Sequence, residues 1–170
     1  MFNLPRKRLV VGLGTALAAV SIAAGSGATF NSATANPANT FQSGTFTHTN
    51  SKNTAAIVTG SNLKPGDSRQ GEVTITNTGS LDGNFTLTEK GAVNPFTAGN
   101  LQLVIHDTTT NTEVYRGEFG KVAAGGISLG NFAPGASRTY RFTVTLALAA
   151  PNADQGKTAT AEYAWDAVQS

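Results

Sequence analysis

The chain contains no cysteine. That excludes disulfide staples, thiol nucleophiles, Fe–S ligation and a lipidated N-terminal cysteine. Histidine is nearly as scarce, with only His48 and His106. Neither begins a His-Glu-x-x-His pattern, so the usual zinc-protease motif is missing. His106-Asp107 would be half of a metal or acid–base pair only if folding brought His48 to it. No Gly-x-Ser-x-Gly elbow and no plausible Ser-His-Asp set appears, so serine hydrolase chemistry has no support. Charged residues make up only 13% of the chain. The carboxylate pairs that can be drawn, Glu113 with Glu118 and Glu162 with Asp166, read as decoration of solvated strand faces. No catalytic residue, metal site or cofactor is expected.

Basic charge is also sparse where it would matter. Of the 12 Lys and Arg, three are Arg6, Lys7 and Arg8, leaving nine against ten Asp and Glu beyond them, a net charge of −1. The basic isoelectric point therefore belongs to the first residues. No Lys/Arg cluster interleaved with aromatics remains to neutralise phosphates, and a nucleic-acid partner is not expected.

What is present begins with those three basic residues. They precede a Gly- and Ala-rich apolar run of 16 residues, 9–24, followed by small residues. This is the pattern of an export signal, and the run is shorter than the roughly 20 residues of a spanning helix. Cleavage is expected after residue 28, or as late as residue 35. A mature chain of 142 or 135 residues fits one domain with a core that needs no staples. After cleavage no membrane contact is expected. The last residues, 165–170, show neither an apolar tail nor a wall-sorting pattern, so any attachment is expected to be non-covalent or through assembly.

The central signal is a repeat. Asn62-Leu63-Lys64-Pro65-Gly66-Asp67-Ser68-Arg69, running into Val73-Thr74-Ile75-Thr76, recurs 69 residues later as Asn131-Phe132-Ala133-Pro134-Gly135-Ala136-Ser137-Arg138, running into Phe142-Thr143-Val144-Thr145. Pro65 and Pro134 preset φ for a turn, Gly66 and Gly135 take the positive φ, and an alternating strand follows. Further short alternating segments are expected at 40–48, 55–59, 84–89, 101–105, 112–116 and 127–129, with turns at 77–80 and 108–111. Two long strands close the chain. Tyr140, Phe142, Val144, Leu146 and Leu148 point one way in the first, and Ala159, Ala161, Tyr163, Trp165 and Ala167 do so in the second. These ten are expected in the core, with Thr160, Glu162 and Asp166 facing solvent. About nine strands and no clear helix predict an all-β fold, a two-sheet antiparallel β-sandwich of jelly-roll type, over residues 40–170.

Thr29-Phe30-Asn31-Ser32 and Asn39-Thr40-Phe41-Gln42-Ser43-Gly44-Thr45 follow the signal, and the segments 62–67, 76–82, 155–159 and 166–169 come after them in order. Together these blocks resemble the pattern of the TasA and camelysin family of secreted matrix and cell-surface proteins. The lack of cysteine and the Gly- and Ala-rich signal fit a bacterial, Gram-positive source, and the resemblance implies export with a signal peptidase of the SipW kind. It also implies a structural jelly-roll subunit of surface or biofilm-matrix fibres, assembling head to tail by donation of a strand to the next copy. The donor would lie in residues 29–39, carrying Thr29, Phe30, Asn31, Ala33 and Ala35. Pro37 cannot donate a ladder bond, and the same segment also fits a flexible tail. The family carries a metalloprotease label through camelysin, which leaves a surface metalloprotease as one alternative. A monomeric adhesion or carbohydrate-binding module, presenting Tyr115, Phe96 or Phe119, is the other.

Overall fold

The computed structural model describes residues 42–170. Eight strands follow in order: β1 His48–Asn50, β2 Ser68–Asn77, β3 Gly83–Val93, β4 Leu101–Asp107, β5 Thr112–Glu118, β6 Ile127–Phe132, β7 Ser137–Leu146 and β8 Thr160–Gln169. A single 3-10 turn, Asn152–Asp154, precedes β8. The strands form two antiparallel sheets, ordered β1-β2-β7-β4-β5 and β6-β3-β8. The orders 2-7-4-5 and 6-3-8 are those of a jelly roll wound as two Greek keys. The all-β sandwich expected from the strand pattern is therefore the fold. The strands differ in detail from the about nine anticipated.

The duplicated Pro-Gly segments explain the central pair. Gly66 and Gly135 have φ of 90° and 77°, and each turn closes through the expected bond, Asp67 N to Lys64 O and Ala136 N to Ala133 O. Each Gly N–H then donates to the last carbonyl of the opposite long strand. Gly66 N reaches Leu146 O at 2.8 Å and Gly135 N reaches Asn77 O at 2.9 Å. Between these clasps β2 and β7 pair without a bulge from Ser68↔Thr145 to Thr76↔Ser137. Alternation sends Val73, Ile75, Tyr140, Phe142, Val144 and Leu146 inward. Thr74 and Thr139 bond each other on the outer face at 2.9 Å.

Phe85, Leu87 and Phe132 meet that surface from the second sheet, all essentially without solvent contact. Phe85 stacks on Phe132 at 4.3 Å between centroids, and Tyr140 tilts against Trp165 at 5.2 Å. Two of the buried polar groups, Asn77 and Asp107, sit at the Ser137 end of the core. Asn77 donates to Leu81 O and Phe132 O and accepts from Gly79 N. Asp107 accepts from Thr109 N and Thr110 N, turning β4 into β5.

Three local expectations are corrected. The first strand covers His48–Asn50 and not 40–48, because among the described residues the chain at 45–47 bonds to the loop at 78–80. Residues 55–59 form no strand. Ile57, Val58 and Leu63 instead pack against the core margin, with the Ile57 carbonyl over Gly71, where a Cβ would have no room. Leu148 is 83% exposed. The β7 ladder ends at Leu146 because Ala147 N turns aside to Asn100 O and Ala150 N folds back to Ala147 O.

The packing predicts that Phe85→Ala lowers the unfolding free energy by about 3–5 kcal/mol in urea titration, the cost of a large buried cavity. Val168→Ser, on an exposed position, should stay within about 0.5 kcal/mol of the parent.

Candidate functional site

A sandwich must manage the edges of its sheets, because each presents unpaired N–H and C=O groups to any passing strand. β6 is short and shifts register opposite Phe85/Thr86, where Gly130 takes a φ of 79°. β5 shifts register opposite Ile105/His106 and carries the Arg116–Glu113 ion pair. β1 is three residues long. β8 has no bulge over most of its length, though Glu162 and Asp166 charge its outer face. Its ladder with β3 runs unbroken from Gln169↔Gly83 to Glu162↔Lys90, and among the described residues β3 is its only neighbour.

Under the free side of β8 the two sheets stand apart. Ala159 and Ala161 face inward and are too small to fill the space between them. A groove of about 800 Å³ results, with Leu101, Phe119 and Leu146 in its floor and Ile57, Leu63 and Tyr163 in its walls. It is continued along β8 by a second cleft of about 570 Å³, bordered by His48, Ile57, Ala161 and Trp165. Ala56, Ile57, Ala161 and Tyr163 line both. Together they form a channel beside β8, lined by apolar and polar residues.

One mouth of the groove is fixed by Asp154, which is 6% exposed. Its Oδ1 accepts from Thr97 N and Thr97 Oγ1 at 2.9 Å and from Lys157 Nζ at 2.8 Å, and its Oδ2 accepts from Asn100 Nδ2 at 2.8 Å. The Lys157 ammonium, with the Asn100 and Thr97 donors behind it, holds the carboxyl far below the usual carboxylate range. Tyr163 crosses the wall and donates to Glu89 Oε1 at 3.0 Å. Burial first, and then the Glu89 charge, push its phenol well above the ordinary tyrosine range. Tyr140, deeper in the core, is pushed up to about 12 by burial.

Pro65 and Gly66 sit at the groove end of the sandwich, beside Leu146, and Pro134 and Gly135 at the opposite end, beside Asn77. Thr29, Phe30, Asn31, Ala33 and Ala35 lie outside the described residues. His48 and His106 are not brought together. His48 sits on β1 and packs edge-on against Phe85 at 5.5 Å. His106 lies on the outer face of β4, in register with Arg141 and Glu113. Three strand spacings separate β1 from β4, about 14 Å before any offset along the strands. Glu113 is engaged by Arg116, whose guanidinium lowers its pKa. Glu162 and Asp166 face solvent, as expected. Sequence reasoning missed Asp154. Its nearest signal was Lys157 three residues on, a spacing that by itself is common on surfaces.

Residues 5–100 match the sequence pattern described as camelysin metallo-endopeptidase, more than half of the chain and including β1, β2 and β3. The chain belongs to the camelysin family. No curated protein matches it. Membership agrees with a secreted cell-surface or matrix protein. Among the described residues no helix is long and apolar enough to cross a membrane.

A camelysin-family metallo-endopeptidase would need a ligand set for its metal, and the donors here do not fit one. Among the described residues no three of His, Cys, Asp and Glu come together. The two buried carboxylates are already engaged, Asp154 by Lys157, Thr97 and Asn100, and Asp107 by two amides with the Arg138 guanidinium 3.9 Å away.

The Asp154 contacts give a pH prediction. A carboxyl whose folded pKa is depressed contributes stability that is present above the unfolded value near 3.9 and is lost as pH falls through the folded value. Asp154→Asn should therefore lower the thermal midpoint at neutral pH. It should also shrink the further drop between about pH 5 and about pH 2, where the parent loses the contribution of this group.

Proposed function

We propose that this camelysin-family chain is a secreted structural subunit that assembles into extracellular fibres, each copy adding a strand to the free edge of β8 in the next. One observation carries the reading: a ten-residue edge strand, mostly unbulged, over a groove that its own alanines leave unfilled. Edge strands of this kind are ordinarily blunted, and strand addition is the use that such an edge serves.

The candidate donor is residues 29–39. It carries no charge, and Phe30, Ala33 and Ala35 offer apolar side chains to the groove. Pro37 would fall where the strand ends, since it has no N–H to give. Charge also selects against the simplest error. Two β8 edges paired with each other would set Glu162 and Asp166 of one copy near those of the other, which like charges disfavour. An uncharged segment meets no such repulsion.

None of the aromatic residues that would serve a carbohydrate-binding module is exposed. Phe96, Phe119 and Tyr115 all pack against the core, and Tyr115 donates to Glu118 O at 3.2 Å. The peptidase reading rests on the family description alone, and the donor set above gives it no support.

Removing residues 29–39 should abolish polymer in electron micrographs and in light scattering while leaving the thermal midpoint of the domain within a few degrees. A synthetic peptide of those residues, in excess, should stop growth of the full chain. Polymer that forms unchanged without the segment would sink the donor-strand reading. The peptidase alternative predicts cleavage of a protein substrate that disappears with EDTA and in His48→Ala or His106→Ala. We expect no such cleavage, and its appearance would replace the fibre reading with an enzymatic one.

A further inference from the structure

Two loops meet at the groove mouth and bring together an amine, a carboxamide and a carboxyl that touches both. Lys157 Nζ donates to Asp154 Oδ1 at 2.8 Å, and Asn100 Nδ2 donates to Asp154 Oδ2 at 2.8 Å. The two reactants of an amide bond thus sit on the two oxygens of one acid. Asp154 is 6% exposed, and Thr97 fixes its orientation through N and Oγ1, both at 2.9 Å. The backbone beneath Asn100 is held as well, since its N–H donates to Thr97 O and its carbonyl accepts from Ala147 N. Lys157 is the adaptable partner, an ammonium on a flexible four-carbon stem.

We propose that Lys157 and Asn100 join through an intramolecular amide bond, with Asp154 as the catalytic residue that carries the protons. The ion pair described above is the state before this bond forms. Asp154 first takes a proton from the Lys157 ammonium, which frees the Nζ lone pair. That pair attacks Asn100 Cγ, and the π electrons of the Asn100 carbonyl move onto its oxygen. Asp154 hands its proton to Nδ2 and takes the second proton that Nζ must lose. The carbonyl re-forms, the Cγ–Nδ2 bond breaks with its electron pair on nitrogen, and the second proton follows. Nitrogen therefore leaves as ammonium, Asp154 ends as the carboxylate it began as, and no oxidant or other reactant enters.

Two opposed effects set the rate. The Lys157 charge holds the Asp154 carboxyl low, so the first proton transfer is uphill, while burial opposes that shift by disfavouring the charged form. The reaction is slow on this account, but it has to occur only once in the life of a molecule. A nucleophile held beside its target also acts at a very high effective concentration.

The bond would tie the loop before β4, in the five-stranded sheet, to the turn before β8, in the three-stranded one. It closes a covalent loop that contains β4, β5, β6 and β7. A chain without cysteine would gain from it the kind of staple that a disulfide supplies, and one that no reductant opens. The proposal stands whether or not copies assemble.

Mass spectrometry of the purified full chain, kept folded at neutral pH for days and then denatured, tests it. The parent should be lighter by one ammonia than its N-terminus and sequence require. Trypsin should release 91–116 joined to 142–170, with cleavage after Lys157 blocked. Lys157→Arg keeps a positive charge against Asp154 without the amine nucleophile, and should show the full mass. A parent of full mass that yields the two peptides separately would overturn the proposal. So would a deficit that persists in Lys157→Arg, because closure of an asparagine onto its own backbone also sheds ammonia. Asp154→Asn, compared at a temperature where both proteins are folded, should form the bond about a hundredfold more slowly or less. An unchanged rate would overturn the part given to Asp154.

Discussion

Nine residue pairs between β2 and β7 form the ladder on which the rest of the sandwich is hung. Its register is held at both ends by the same device, a glycine N–H at positive φ donating to the final carbonyl of the opposite strand. Because side chains alternate with a period of two, sliding one strand of this pair by one residue would send either Val73 and Ile75 or Tyr140 and Phe142 to solvent. The two clasps make such a slip expensive at either end. β4 then pairs with β7 from Leu101↔Leu146 to Asp107↔Tyr140, and β5 with β4, so the five-stranded sheet inherits its register from the central pair.

The second sheet is narrower, and the open groove follows from that difference. Three strands cannot cover five, and on the β8 side the deficit falls where the inward residues are alanine. Residues 55–63 partly screen the gap, admitted close to β2 because Gly71 has no side chain. Asp154 ties the turn before β8 to the loop before β4 through Thr97 and Asn100. The position of the groove mouth therefore depends on one buried charge and its partners as well as on the two sheets.

Turn chemistry and strand alternation are local, and these were legible in the sequence. Pro65-Gly66, Pro134-Gly135, the hairpin turn at 108–111 and the inward faces of β7 and β8 all stand where their residues indicated. What depended on distant partners was not legible. Alternation ran on through Leu148, but the strand stops at Leu146 because Asn100, nearly fifty residues away in sequence, draws off Ala147 N. The apolar pattern at 55–59 suited a strand, yet Gly71 turned it into a cover. The faces of β8 could be read from the sequence. That β3 is its only neighbour among the described residues could not, because periodicity says which side of a strand is buried and not which strand has a neighbour.

The long separations between partners also bear on how the chain comes to be folded. β2 waits for β7, some seventy residues later, and β3 waits for β8 at the end of the chain. A chain emerging vectorially, from ribosome or translocon, has no completed sheet to fold onto until its last third is out. High contact order of this kind slows folding. In any chain that threads a narrow pore in extended form, the same delay would keep the thread passable until passage is nearly complete.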